Sequence, residues 1–444
     1  MKGLFFSIAI ISLLIVSSLQ INISIARGDK LFNKNTPIVL NLATPDTLEK
    51  KSSVDLLCVI DVSGSMGGQK IELVKESLKT LLGMMDSSDR LGLILFNQHG
   101  TLLADLTPVT TSNKIDLLTK IDSIRANGGT SILSGLEIAV DILTKSHDLT
   151  VTSGVILLSD GQDNNLSDKE LADGLKQLTK GKNLSFTLHT FGYGQDHDPL
   201  IMNKLAHIRD GSFYFVDELS KVKPYFVNVL GGCMSVISNQ IKVTVKSTFK
   251  IVKVFGLEDL FTYKIEDNFF ETDLLQFISG KDYTYVLELE IPEETSYGIE
   301  LLDVEVKYTD MKGEVHSQKD KYMYNHLKNT NTVKEVIQKA NEEYIRSVTY
   351  DTIQQALNER EKGQKEEAKT KLNNMENWLK NNYSGKSTYV EDVQKSKTFV
   401  EKEEEYEHYG KAFMASRISE GQLKRGGMQM EYSNSIQNMM VSKI

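Results

Sequence analysis

Residues 54–65 read VDLLCVIDVSGS, an almost wholly apolar run that stops at Asp61 and passes into a hydroxyl-rich turn. A short continuous apolar run bounded by a turn suits a central parallel strand covered on both faces. Residues 71–84 follow with Ile71, Val74, Leu78, Leu81 and Leu82 near helical spacing. Residues 90–96 (RLGLILF) predict a second strand, 114–124 and 131–143 predict helices, and 154–158 predicts a strand ending just before Asp160. Helices are expected at 169–180, 200–208 and 219–237, with strands at 184–191 and 212–216 between them. This alternation predicts an α/β domain over residues 50–239 with a mainly parallel sheet. Ligands on such sheets sit outside the carboxyl ends of the strands, and Asp61 and Asp160 both fall there.

Downstream the hydrophobic period changes. IKVTVKS at 241–247, YTYVLELEI at 283–291 and IELLDVEVKYTD at 299–310 alternate with period two, which predicts an antiparallel β-sandwich over residues 240–325. The aromatic residues there, Phe261, Tyr263, Tyr283, Tyr285 and Tyr308, read first as sheet packing. Residues 330–415 return to helical spacing, with a hairpin of 333–360 and 364–379 around Glu361-Lys362-Gly363 and a charged helix over 390–413. No sustained heptad specifies a coiled coil. Residues 421–444 carry few packing signals and are expected to form a flexible tail.

At 444 residues, with 40% hydrophobic and 25% charged composition, the chain is long enough for two or three domains. A formal net charge of -9 and the absence of a long basic patch argue against nucleic acid as a partner. Two cysteines exclude a disulfide-rich scaffold; Cys58 and Cys233 read as buried thiols. Residues 1–26 resemble a signal peptide, with an apolar run from Leu4 to Val16 and small residues at Ser24 and Ala26. Membrane attachment through residues 4–26, or a buried cytoplasmic helix, are the alternatives. The first reading places the protein in the secretory pathway or outside the cell; the others leave it membrane-anchored or cytoplasmic.

The chemistry-bearing residues lie at the strand ends. Asp61, Ser63 and Ser65 alternate through the turn, offering one carboxylate and two hydroxyl oxygens to an ion. Hard oxygen donors favour Mg2+ over thiol-loving metals, and these three alone cannot complete an octahedron. Thr130 in GGTS and Asp160 in LSDG can contribute directly or through water. A position left open would accept a carboxylate from another molecule. The alternatives are ordinary: Asp61 or either serine could cap the following helix, and Asp160-Gly161 could be only a turn. His189, His197 and His207 make no zinc ligand set. Gly192 and Gly194 lack the Lys-Ser/Thr ending of a phosphate loop. Asp196, His197 and Asp198, in the connection after the 184–191 strand, are candidates for the rim of the binding face.

DVSGS at 61–65, Thr130 and Asp160 together resemble the von Willebrand factor type A domains that carry a metal-ion-dependent adhesion site. The resemblance implies a Rossmann-like sheet flanked by helices, and a Mg2+ or Mn2+ ion completed by the acidic side chain of a protein partner. Stretches at 159–164, 191–216, 231–240 and 403–427 are similar to a eukaryotic subfamily whose plant members carry a RING finger. No cysteine and histidine set for a RING is present here, so ligase activity is not carried over. The expectation is therefore metal-dependent protein binding through an Asp or Glu of a partner, without catalysis. A structural scaffold of an intracellular complex, or a non-catalytic component of ubiquitin ligation, is the alternative.

Overall fold

A computed structural model describes residues 20–46, 52–146, 148, 151–182, 184–194, 198–256, 263–325 and 330–423. The chain opens with two antiparallel strands, β1 (Asn22–Arg27) and β2 (Thr36–Ala43). An α/β unit follows: β3 (Val54–Asp61), α1 (Gln69–Met84), β4 (Arg90–Phe96), β5 (Gly100–Pro108), α2 (Thr111–Ser123) and α3 (Ile132–Lys145), then β6 (Thr152–Ser159), α4 (Asp168–Thr179), β7 (Phe186–Tyr193), α5 (Pro199–Ile208), β8 (Phe213–Val216) and α6 (Leu219–Met234).

Its six strands form one sheet in the order β5-β4-β3-β6-β7-β8. All pairings are parallel except that of β5, an antiparallel edge strand that was not expected. Every residue of β3 is buried, because successive side chains enter opposite layers. Leu56, Cys58 and Ile60 pack with α1, α2 and α6, whereas Leu57 and Val59 pack with α3, α4 and α5. Each such side chain contributes about 1.5–3 kcal/mol by leaving water, which is why the central strand reads as a continuous apolar run.

Seven further strands follow: β9 (Val236–Ser247), β10 (Lys250–Val254), β11 (Tyr263–Glu266), β12 (Phe269–Ile278), β13 (Asp282–Glu290), β14 (Ile299–Asp310) and β15 (Val315–Tyr324). They build a sandwich of two antiparallel sheets, β1-β2-β13-β10 and β11-β12-β9-β14-β15, around Leu40, Leu42, Val243, Val245, Phe270, Leu287 and Val304. The expected 240–325 boundary is therefore corrected. The sandwich takes β1 and β2 from ahead of the α/β unit, which is inserted between β2 and β9. Leu40 of β2 lies opposite Tyr285 of β13, and Ile38 opposite Leu287, so β2 covers what would otherwise be an open sheet edge.

The leader boundary shifts for the same reason. Residues 22–26, expected to end a signal or anchor, belong to β1, while residues 1–19 lie outside the described residues. Among the described residues, no helix is long and apolar enough to cross a membrane.

The C-terminal unit comprises α7 (Asn331–Glu361), α8 (Lys365–Asn382), α9 (Ser387–Glu401), α10 (Glu403–Glu405), a π-helical turn over Tyr406–Gly410 and α11 (Lys411–Leu423). The expected continuous helix over 390–413 is broken at Lys402, which is extended between α9 and α10. One turn on, in the π-helical turn, Tyr406 is fully buried and its hydroxyl donates to Glu361 Oε1 at 2.7 Å. The reversal brings α11 back against α7 and α5, where His207 Nε2 lies 3.2 Å from Ser419 Oγ. The tail expected from 421 is helical to Leu423; residues 424–444 lie outside the described residues.

Polar contacts join the three units. Leu275 N donates to Asp210 Oδ2 at 2.6 Å between sandwich and α/β unit. The buried Glu288 of β13 accepts from the Tyr344 hydroxyl of α7 at 2.6 Å and from the amides of Asn33 and Asn35 at 3.0 and 3.1 Å.

Candidate functional site

The sheet order reverses between β3 and β6, and this is where an open α/β sheet forms its crevice. Asp61 is the last residue of β3, and Asp160 directly follows Ser159, the last residue of β6. Ile60 lies opposite Leu158, so Asp61 and Ser159 are neighbours across the strand pair. Ser159 Oγ donates to Asp61 Oδ2 at 2.6 Å, and Ser63 N donates to Asp61 Oδ1 at 2.8 Å. Each carboxylate oxygen keeps lone-pair capacity for a further partner. Asp61 is fully buried, and burial pushes its carboxyl up to about 6; the bonds from Ser159 and Ser63 oppose that rise and the Asp160 charge adds to it.

Two further loops are laced to the first. Gly64 N donates to Gly128 O at 2.9 Å and Asn127 N to Val62 O at 2.6 Å. Gly128 has φ +83°, and a side chain there would crowd Asn97, whose amide already holds Asn127 Oδ1 at 3.0 Å. Thr130 N donates to Asn164 Oδ1 at 2.6 Å, and Asn164 N returns a bond to Thr130 O at 3.2 Å. Asp163 Oδ2 accepts from Ile132 N at 2.8 Å, joining the start of α3 to the loop after β6. Thus the residues expected at the site stand on three loops tied at one end of the sheet. Ser63 and Thr130 are buried, Ser65 is exposed, and the hydroxyls of Ser63 and Ser65 are 3.0 Å apart.

Asp160 is fully buried. Its Oδ2 accepts from Lys70 Nζ, in the first turn of α1, at 3.1 Å; its Oδ1 is buried without a hydrogen-bond partner. A buried acceptor left unsatisfied costs about 1–3 kcal/mol, and more when it is charged. Two buried carboxylates and neighbouring hydroxyls, offset by one ammonium, are a hard-oxygen set with negative charge to spare. These residues fit a hard divalent cation in kind and in charge.

Of the expected rim, Asp198 is the member among the described residues. Asp198 caps α5, its Oδ1 accepting from Leu200 N and Ile201 N at 3.0 and 3.2 Å, while its own N–H donates to Asp160 O at 2.8 Å. Asp196 and His197 lie outside the described residues. Ser159, Lys70, Asp163 and Asn164 were not singled out from the sequence. Only Ser159, Asp163 and Asn164 carried a signal, through their place in the polar SDGQDN stretch.

A separate grouping, Asp310, Glu314 and His316, brings three side chains close enough to share an ion. Its geometry is that of a hairpin turn. Asp310 Oδ1 accepts from Lys312 N and Glu314 N, both at 2.9 Å, and Asp310 Oδ2 lies 3.0 Å from His316 Nε2. Asp310 thereby closes the turn between β14 and β15.

Residues 55–227 match the von Willebrand factor type A domain family. An uncharacterised Synechocystis protein is 26% identical over 209 residues, spanning 46% of this chain and 48% of that protein. Human inter-alpha-trypsin inhibitor heavy chain H2 is 32% identical over 173 residues, spanning 38% of this chain but 18% of the human one. The chain thus covers less than half the length of these curated relatives. Among solved structures, a von Willebrand factor type A protein from Catenulispora acidiphila superposes with a TM-score of 0.66 at 15% identity, covering 93% of this chain and 97% of that one. The ArnB paralog VWA2 from Sulfolobus acidocaldarius gives 0.60 at 16% identity, covering 91% and 98%. At such identities the likeness is one of fold, and it extends over the sandwich and helices as well. The α/β unit inserted in this chain has the von Willebrand factor type A domain fold.

Proposed function

We propose that the three-loop cluster of Asp61, Ser63, Ser65, Thr130 and Asp160 holds Mg2+ or Mn2+ and binds an Asp or Glu of a protein partner. The observation that carries this reading is the buried, unpartnered Asp160 Oδ1 beside the buried Asp61, at the switch point of the sheet. When bound, the ion supplies Lewis acidity for one more carboxylate oxygen. The protein supplies the rest. Ser159 and Ser63 orient Asp61, the Gly128 and Asn164 bonds hold the Thr130 loop, and Asp198 N–H fixes the backbone of Asp160. Such preorganisation lowers the ordering cost of capturing a ligand. The function so proposed is binding, with the sandwich and helices as support.

The test is capture of a partner by the full-length chain with and without chelator. Capture should vanish in EDTA, return with magnesium, and fall at least tenfold in Asp61→Ala and Asp160→Ala proteins that still melt cooperatively. Capture unchanged by EDTA and by both substitutions overturns the reading and leaves the helical scaffold as the better one.

A secretory or membrane-attached location belongs to the same proposal, on the strength of the apolar run from Leu4 to Val16. Any removal of this leader must cut ahead of Asn22, because β1 supplies an outer strand of the sandwich. A mature N-terminus beyond Arg27, found by terminal sequencing of a folded protein, would contradict it.

A further inference from the structure

The proposed ion site contains a cation of its own. Lys70 Nζ sits 3.1 Å from Asp160 Oδ2, and the two side chains differ in exposure: 16% for Lys70 and 0% for Asp160. The lysine stem leaves the first turn of α1 beyond the exposed Gly67 and Gly68, so its ammonium reaches inward from the rim of the crevice. We infer that Lys70 is a built-in competitor for the divalent ion, a positioning residue that holds one oxygen of Asp160 before loading and must release it on loading. The inference rests on the reading of the cluster as an ion site.

Three observations carry it. Asp61 and Asp160 are both fully buried at adjoining strand ends, an arrangement that repels itself without a cation. Lys70 engages one oxygen of Asp160, and the other has no hydrogen-bond partner, so pairing with Lys70 leaves lone pairs on the same carboxylate free to bind a cation. Lysine is a point charge on a flexible four-carbon stem, which can swing toward solvent where a planar, multiply bonded arginine would hold its place. A dication and an ammonium on one carboxylate repel each other strongly at such short range. Ion binding and the Lys70–Asp160 contact therefore oppose one another, and by linkage each weakens the other by the same factor.

The sign of the prediction separates this role from simple structural support. A lysine that merely shaped the site would, on removal, weaken ion binding. A competitor, on removal, strengthens it. Calorimetric titration of the full-length protein with Mn2+ is the direct test, using wild type, Lys70→Met and Lys70→Gln, each first melted in EDTA to confirm folding. Both variants should bind Mn2+ about tenfold more tightly than wild type. They should also melt lower in EDTA and gain more from saturating Mn2+. If wild type binds Mn2+ and both variants bind it equally or more weakly, the competitor role is overturned while the ion site stands. If neither wild type nor variant binds Mn2+, the ion site itself fails, and the competitor role with it.

Discussion

The Ser159 hydroxyl spans the gap between two parallel strands to donate a 2.6 Å hydrogen bond to Asp61 Oδ2, while accepting from Gly161 N at 2.9 Å. One side chain thus ties the end of β3 to the turn that carries Asp160. All of these atoms are buried, so water cannot replace what is lost if the hydroxyl is removed. Ser159→Ala should lower stability by about 1–3 kcal/mol in urea unfolding measured in EDTA. A loss under about 0.5 kcal/mol, the range of an ordinary surface substitution, would show that the bond is dispensable.

Gly161 makes the turn after β6 at φ +76°, and an added Cβ would stand 2.9 Å from Asp198 O. The left-handed backbone costs other residues about 1–2 kcal/mol, and here the close carbonyl adds a clash. Gly161→Ala should therefore destabilise the α/β unit by at least that amount and weaken Mn2+ binding, because the shifted turn carries Asp160. Urea unfolding and calorimetry on one protein preparation check both effects. Wild-type values in both would refute the account of this turn.

Glu376 of α8 offers a pH test away from the site. Burial alone would raise its carboxyl, but bonds from Lys380, Lys397 and Gln394 overcome that effect and hold it down to about 2. A carboxyl depressed in the folded state contributes stability that is fully present above its unfolded value near 4.5 and is lost as pH falls toward 2. Wild type should lose stability through that window more steeply than Glu376→Gln, measured by thermal melts at stepped pH. Parallel curves for the two proteins would exclude this residue as a source of acid sensitivity.

Much of the architecture was written locally. A strand buried on both faces must be apolar throughout, so VDLLCVI announced β3, and the aspartate that ends it announced a strand end. The hairpin of α7 and α8 was legible from three- and four-residue apolar spacing and a glycine-bearing turn. Asp61, Ser63, Ser65, Thr130 and Asp160 could be named because they recur in a spaced pattern beside predicted strand ends.

Other features had no local signature. Residues 36–43 read TPIVLNLA, a short mostly apolar stretch, and nothing in them points to a partner in β13 beyond a whole inserted domain. The break at Lys402 interrupts a stretch whose charges and periodicity suit a continuous helix; beyond it the chain turns back to bury Tyr406 against Glu361. Ser159 and Lys70 are ordinary residues at ordinary places in the chain. Their significance comes from sheet order, which sets β6 beside β3 and brings the first turn of α1 over Asp160. The sequence by itself determined which segments bury apolar faces and where polar strand ends emerge, because those are short-range properties of pattern. Only the tertiary structure decided which distant segments meet, because pairing and charge neutralisation depend on neighbours in space.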